Sequence, residues 1–148
     1  MSSAATAYDV CSFLGLRKAM RHVTQFYDRE LAPSGLRITQ FSILSRLRQL
    51  GPCGINALAA EMVMDRTTMG RNLRPLEAAG LVAIETDPGD RRGRRAQLTP
   101  EGLARLRAAR PYWAAAQQGF ERCYGPERAE HLRHVLAAIV ATPLDTAE

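Results

Sequence analysis

Long apolar runs, paired cysteines and lysine are all scarce in this chain of 148 residues. No apolar segment approaches the length of about 20 residues that a membrane-spanning helix needs, and the first residues lack the basic and then apolar order of a secretory signal. We therefore expect a soluble, cytoplasmic protein. The cysteines Cys11, Cys53 and Cys123 are odd in number and have no CxxC spacing, which disfavours a disulfide framework and a zinc site. We expect reduced thiols, no metal and no cofactor.

Lysine is almost absent, since Lys18 stands beside 19 arginines. A GC-rich genome would give the same bias, so this composition alone carries little functional meaning. The clustering is more informative, because seven arginines and only four acids lie between Arg66 and Arg95. Four of these arginines occupy positions 91, 92, 94 and 95, where their charges repel one another unless an anion is near. Together with a net charge of +5, the cluster suggests an acidic partner.

Apolar residues spaced by three or four positions predict amphipathic helices over much of the chain. The predicted helices lie at residues 10–31, 38–50, 55–62, 65–79 and 100–123, with a last helix after the Gly125-Pro126 break. Residues 51–54 are expected to form a linker. Residues 1–7 are small and polar, and we expect them to fray.

The segment from Asp65 to Gly102 carries the strongest local signals. The short carboxylate of Asp65 can cap a helix N-terminus, and Thr99-Pro100 is a second helix start of the same kind. Between them, alternation predicts strands at 82–86 and 96–98. The turn sequence Asp87-Pro88-Gly89-Asp90 and the four arginines are then expected at the hairpin tip.

Two short helices joined by Val63-Met64-Asp65 and followed by a hairpin form the pattern of a winged helix-turn-helix. In such a unit the second helix enters the major groove of DNA by its N-terminal end, and the hairpin is the wing. The segment therefore predicts DNA binding.

Short motifs follow one another in a fixed order: Gly35-Leu36 with Gln40, Leu58-Ala59, Asp65-Arg66-Thr67-Thr68, Leu76-Glu77 with Gly80-Leu81-Val82, Asp87-Pro88 with Asp90-Arg91-Arg92, and Leu98-Thr99 with Gly102. In this order they resemble the MarR family of bacterial transcriptional regulators, over about residues 10–125. Two positions depart from the family pattern. Arg37 stands where a threonine is common, which leaves the cap of the second helix open, and Ile84 replaces a common basic residue, which removes one candidate backbone contact.

The resemblance implies a mainly α (α+β) fold and a single domain spanning residues 1–148. Within it, residues 36–99 would form the winged helix-turn-helix lobe, and residues 8–33 plus 100–142 a helical dimerisation lobe built from the N- and C-terminal helices. Members of this family form homodimers, so the resemblance implies a homodimer here as well. Two winged helices would then bind a pseudo-palindromic operator in double-stranded DNA.

Ten residues are the candidate DNA contacts: Arg66, Thr67, Thr68, Arg71, Asn72, Arg74, Asp90, Arg91, Arg92 and Arg94. For Arg71 and Arg74 we favour contact with a base edge or phosphate over a solvated helix face. Asp90 and Arg92 match the Asp-x-Arg pair of the family's wing, which implies an ion pair that holds the loop. Which arginine enters the groove stays open.

Cys11, His22 and Tyr27 are the effector or redox candidates. The resemblance implies a small effector, often a phenolic or aromatic acid, in the cleft between the dimerisation lobe and the winged helix, where His22 could meet its carboxylate. The peroxide-sensing branch of the family keeps a reactive cysteine in the first helix, assisted by a tyrosine near Tyr27 and in some members paired with a late cysteine such as Cys123. That reactive cysteine would fall at position 13, which is Phe13 here, and no lysine or histidine adjoins Cys11 to activate its thiol.

The function expected from these observations is a sequence-specific DNA-binding transcriptional regulator, a repressor released by a small effector. Two alternatives stay open: a redox-sensing repressor of the same fold that uses Cys11, and a winged-helix module that binds protein without binding DNA. An enzyme is not expected. The sequence shows no nucleophile with a base, no carboxylate pair at a plausible site, no phosphate-binding loop and no metal-ligand spacing.

Overall fold

The computed structural model describes residues 10–145. Its helices are α1 (Ser12–Leu31), α2 (Ile38–Leu50), α3 (Ile55–Glu61), α4 (Arg66–Ala78), α5 (Pro100–Tyr124) and α6 (Pro126–Ala141), with a short 3-10 turn at Ala32–Ser34. The strands are β1 (Cys53–Gly54), β2 (Val82–Asp87) and β3 (Asp90–Leu98). The fraying expected for residues 1–7, and positions 8 and 9 of the predicted dimerisation lobe, lie outside the described residues.

The predicted helix boundaries are confirmed to within a few residues because the local signals are strong. Asp65 is the N-cap of α4, and the hydroxyl oxygen of Thr99 accepts a hydrogen bond of 3.0 Å from the amide of Gly102 in the first turn of α5. Gly125 separates α5 from α6 with a φ of 104°, a conformation that side chains rarely adopt. The mainly helical fold with a small antiparallel sheet is therefore the predicted one.

The cap of α2, left open by Arg37, comes from two other side chains. Oε1 of Gln40 accepts from the amide of Arg37 at 3.0 Å, and Oδ1 of Asp28 accepts from the amide of Ile38 at 2.8 Å. A guanidinium cannot accept a hydrogen bond, so the side chain of Arg37 cannot cap the free amide groups at the start of α2. Asp28 lies on α1, and its bond therefore ties the first helix to the start of the second.

The sheet differs from the prediction in two ways: it has a third strand, and β3 is longer than expected. The expected linker contains β1, which pairs antiparallel with β3 so that Cys53 lies opposite Ala96. The strand order is β1-β3-β2, and β3 begins at Asp90 rather than at position 96. The prediction placed all four arginines at the tip, whereas Arg94 and Arg95 pair within the sheet with Thr86 and Glu85.

The core lies where α2, α4, the sheet and α5 meet, and its members are almost all aliphatic. Leu44, Leu58 and Leu73 are fully buried in it. The ring of Phe41 stacks on Trp113 of α5 with centroids 5.7 Å apart and planes 13° apart. This contact joins α2 to the long helix α5.

The apolar faces predicted for α1 and α6 are largely uncovered in the single chain. Only Tyr27 and Leu31 of α1 are buried, while Phe13 is 70% exposed and Met20 57% exposed. On α6, Val140 is 67% exposed. These uncovered side chains lie on the helices that the sequence predicts to form the dimerisation lobe. Across the described part of the chain, every helix is too short or too polar to span a bilayer.

Candidate nucleic-acid interface

The turn between α3 and α4 fixes the direction of the second helix. Val63 has a φ of 53° and is 73% exposed, an unusual conformation for a β-branched residue. Beyond it, α4 buries Met69, Leu73 and Leu76, which recur at the spacing of one helical face. The remaining faces of α4 are left for solvent or a partner.

Asp65 holds the N-terminus of α4 through two hydrogen bonds from one residue. Its Oδ1 accepts from the backbone amide of Thr68 at 2.7 Å, and its Oδ2 accepts from the Thr68 hydroxyl at 2.8 Å. These bonds, the backbone one first, lower the pKa of Asp65 below its ordinary value because they favour the carboxylate. Asp65 is therefore ionised at neutral pH.

The arginines of α4 are exposed and available to an anion. Arg66, Arg71 and Arg74 all lie on the surface, and in the described part of the chain none of them is within ion-pair distance of a carboxylate. Thr67 is also exposed, whereas Asn72 is half-buried and donates to the carbonyl oxygen of Thr68 at 2.8 Å. All six candidate residues of this segment thus lie on α4. Among the described residues, the three arginines of α4 form no ion pair.

The β2–β3 hairpin ends in a turn at Pro88-Gly89, closed by the amide of Gly89 donating to Oδ1 of Asp87 at 2.9 Å. Asp87 pairs with Asp90, but the next pair in the ladder is Thr86 with Arg94. Residues 91–93 are therefore skipped and bulge out of the sheet.

This bulge sets Arg91 and Arg92 apart from the regular ladder, with Arg94 following at its edge. All three arginines are exposed. The ion pair expected between Asp90 and Arg92 is not formed. Oδ1 of Asp90 instead accepts from the backbone amide of Arg92 at 2.9 Å, and among the described residues the Arg92 guanidinium has no carboxylate partner. The loop is held through the backbone, which leaves the Arg92 charge free.

The structure does not bring Cys11, His22 and Tyr27 to one site. Cys11 is exposed at the start of α1, about 16 Å along the helix axis from His22 at a rise of 1.5 Å per residue. His22 lines a groove of about 340 Å³ between α1 and α5, together with Phe26 and Cys123. Cys123 therefore shares a groove with His22, and Cys11 is not among the residues that line it.

Tyr27 has a structural partner. Its hydroxyl donates to Oε1 of Gln117 on α5 at 2.7 Å, and burial, with a smaller effect of the Glu121 carboxylate, raises its pKa. Burial also raises the pKa of Cys53, which the charge of Arg95 only partly offsets. Neither group has the environment of an activated side chain.

The sequence predicts a cleft between the winged helix and the dimerisation lobe, but it does not predict the residues that line the cleft found there. It lies between α2 and α5, has a volume of about 440 Å³, and is lined by the stacked rings of Phe41 and Trp113 with Arg48 and Arg110 beside them. Phe41 and Arg48 are two helical turns apart, as are Leu106 and Trp113, so helical spacing alone could have placed each pair on one face. That the two faces oppose each other follows only from the tertiary fold.

Comparisons with a family model, with a curated protein and with solved structures all indicate the same family. A model of the MarR family matches residues 36–93. The HTH-type transcriptional repressor NicR of Pseudomonas putida is 35% identical over 108 residues, which are 72% of this chain and 68% of that protein.

Solved structures with the same fold include the M. tuberculosis transcriptional regulator MosR in complex with DNA. It is 34% identical, with a TM-score of 0.76 over 88% of this chain and 97% of that one. A probable transcriptional regulator from Pseudomonas aeruginosa is 28% identical, with a TM-score of 0.79 over 89% of this chain and 98% of that one. Both matches extend beyond the helix-turn-helix and its hairpin to the flanking helices. This chain belongs to the MarR family.

Proposed function

We propose that this protein is a sequence-specific DNA-binding transcriptional repressor that acts in the cytoplasm as a homodimer and is released by a small effector. The observation that carries the proposal is the set of exposed, unpaired arginines on α4 and on the β3 bulge. Guanidinium groups without protein partners suit phosphate and guanine, to which they can donate two hydrogen bonds at once. The names of the relatives from P. putida and M. tuberculosis support transcriptional regulation, and the first supports repression.

The helix α4 would lie in the major groove and the hairpin would contact the adjacent backbone or minor groove. On α4 the contacts would come from Arg66, Thr67, Thr68, Arg71, Asn72 and Arg74. In the wing, Arg91, Arg92 and Arg94 would supply the charge, and Asp90 would shape the loop through its bond to the Arg92 amide.

Residues 36–99 would then be the DNA-binding lobe, and residues 8–33 plus 100–142 the dimerisation lobe. The uncovered apolar side chains of α1 and α6, such as Phe13 and Val140, support this division, because a patch of this kind needs a partner. A second copy of the chain would cover it and set the distance between two half-sites.

For the effector we favour the cleft between α2 and α5. The stacked rings of Phe41 and Trp113 offer an aromatic surface, and Arg48 and Arg110 offer charge to a carboxylate. A ligand there would contact both α2, whose buried side chains share one core with those of α4, and α5 of the dimerisation lobe. It could thus change the separation of the two α4 helices.

The test is binding of the purified protein to a fluorescent duplex from its own upstream region. We expect a dimer to bind, with an affinity that falls steeply as salt rises because counterions are released from phosphates. An aromatic carboxylate should then lower the affinity of the parent protein, and an Arg110→Ala variant should not respond. Absence of salt-dependent binding would contradict the proposal and favour a protein-interaction module. Release by peroxide that is lost in Cys11→Ser would favour the redox alternative.

A further inference from the structure

The exposed part of α4 has two chemically different sides. Asp65, Thr68 and Asn72 are spaced by three and four positions, so they form one row along the helix, which we call the acceptor row. Thr67, Arg71 and Arg74 form a second row with the same spacing. The second row carries positive charge, and the acceptor row carries the negative charge of Asp65.

The hydrogen bonds within α4 decide what the acceptor row can offer. Thr68 has one hydroxyl hydrogen, and it is donated to Oδ2 of Asp65 at 2.8 Å. An ionised carboxylate only accepts, so the direction of this bond is fixed. The Thr68 oxygen can therefore only accept a hydrogen bond from a further partner.

Asp65 has the same bias, whereas Asn72 offers both an acceptor and a donor. Each Asp65 oxygen accepts one hydrogen bond from Thr68 and keeps capacity for another. Asn72 already donates one amide hydrogen to the Thr68 carbonyl oxygen at 2.8 Å, and it keeps its Oδ1 as an acceptor and its second amide hydrogen as a donor. Thr67 differs, since among the described hydrogen bonds its hydroxyl hydrogen has no acceptor in the protein.

The structure assigns the acceptor row to an exocyclic amino group in the major groove: N6 of adenine or N4 of cytosine, facing Thr68. This inference rests on the proposed function of α4. On the major-groove edge only these two groups donate hydrogen bonds, whereas guanine N7 and O6 and thymine O4 accept. The charge of Asp65 would repel a phosphate, so the row suits a base edge rather than the backbone. Thr68 would thereby determine specificity at one position of each half-site.

The experiment compares the parent protein with Thr68→Val and Thr68→Ser on a randomised duplex library. Valine has nearly the shape of threonine without the hydroxyl, and serine keeps the hydroxyl. Both variants retain the backbone amide that Asp65 caps, and thermal unfolding would show that they are folded. We expect the valine variant to lose selectivity at one position per half-site and the serine variant to keep it.

At that position the amino group is then removed from the selected sequence. Adenine is replaced by purine and cytosine by pyrimidin-2-one, so the two arms distinguish the two sources of the amino group. We expect the loss of the amino group to weaken binding of the parent about tenfold, in the range of a single mismatched base pair, and to leave Thr68→Val unaffected.

Two results would overturn the inference while leaving DNA binding intact. Thr68→Val could select the same sequences as the parent, or removal of the amino group could weaken both proteins equally. If the parent protein enriched no sequence at all, the proposed function would fail and this inference with it.

Discussion

Gly102, in the first turn of α5, lies directly against the carbonyl oxygen of Leu81, the residue before β2. A Cβ atom at position 102 would collide with that oxygen and with Cδ1 of Leu98. The amide of Thr99 donates to the same Leu81 oxygen at 3.1 Å, and the Thr99 hydroxyl donates to the carbonyl oxygen of Gly80 at 2.6 Å. These contacts hold the first turn of α5 against the residues just before β2, and they therefore fix the orientation of the β2–β3 hairpin relative to α5.

The change Gly102→Ala should therefore destabilise the protein by about 3 kcal/mol, because backbone on both sides must move. We expect the melting temperature to fall by roughly 10 °C in a circular dichroism melt. Gly70→Ala in α4 is the matched control. A Cβ there meets no atom within 4 Å, and alanine should stabilise the helix by about 0.5–1 kcal/mol. Equal melting temperatures for the two variants would contradict this packing.

The cap of α4 should make stability depend on pH at the acid end. The pKa of Asp65 is lower in the folded protein than its ordinary value, so its contribution is present above the unfolded pKa of about 4 and is lost as pH falls through the folded pKa. We expect Asp65→Ala to melt at a lower temperature than the parent at pH 7, and the difference to shrink at pH 3. Asp65→Asn keeps a capping oxygen without that titration. A difference between parent and Asp65→Ala that stays the same at both pH values would argue against the cap.

Much of this architecture was predictable because its signals are local. Asp65, Thr99 and Gly125 mark helix ends by their own chemistry, and the spacing of Met69, Leu73 and Leu76 specifies the buried face of α4. Such features require no knowledge of distant residues.

The features that sequence alone does not predict depend on partners far along the chain. β1 is two residues long and exists only through its pairing with β3, some 40 residues later. The bulge at residues 91–93 is a matter of register, which turn sequence alone does not specify. Asp28 caps a helix ten residues away, and periodicity shows that Phe13 is on an apolar face without showing what covers it.

That apolar face leads to a prediction about assembly. Phe13→Glu places a charge where we propose contact with a second copy, so it should shift the protein from a dimer to a monomer of 16.3 kDa in light scattering after size exclusion. Val63→Asn alters an equally exposed apolar residue in the turn before α4, where asparagine tolerates the positive φ. This control should remain a dimer. Dimers of unchanged stability in Phe13→Glu would exclude α1 from the interface.

The most direct test of DNA binding by the wing is its salt dependence when the wing charges are removed. In a variant with Arg91, Arg92 and Arg94 replaced by alanine, the slope of log affinity against log salt should become shallower by about one for each phosphate that the wing no longer neutralises. A control variant carries alanine at Arg122, Arg128 and Arg133 of α5 and α6, which are also exposed, and should keep the parent slope. We expect a shallower slope and weaker binding for the wing variant only. Identical slopes and affinities for the parent and the wing variant would contradict the proposed role of these arginines.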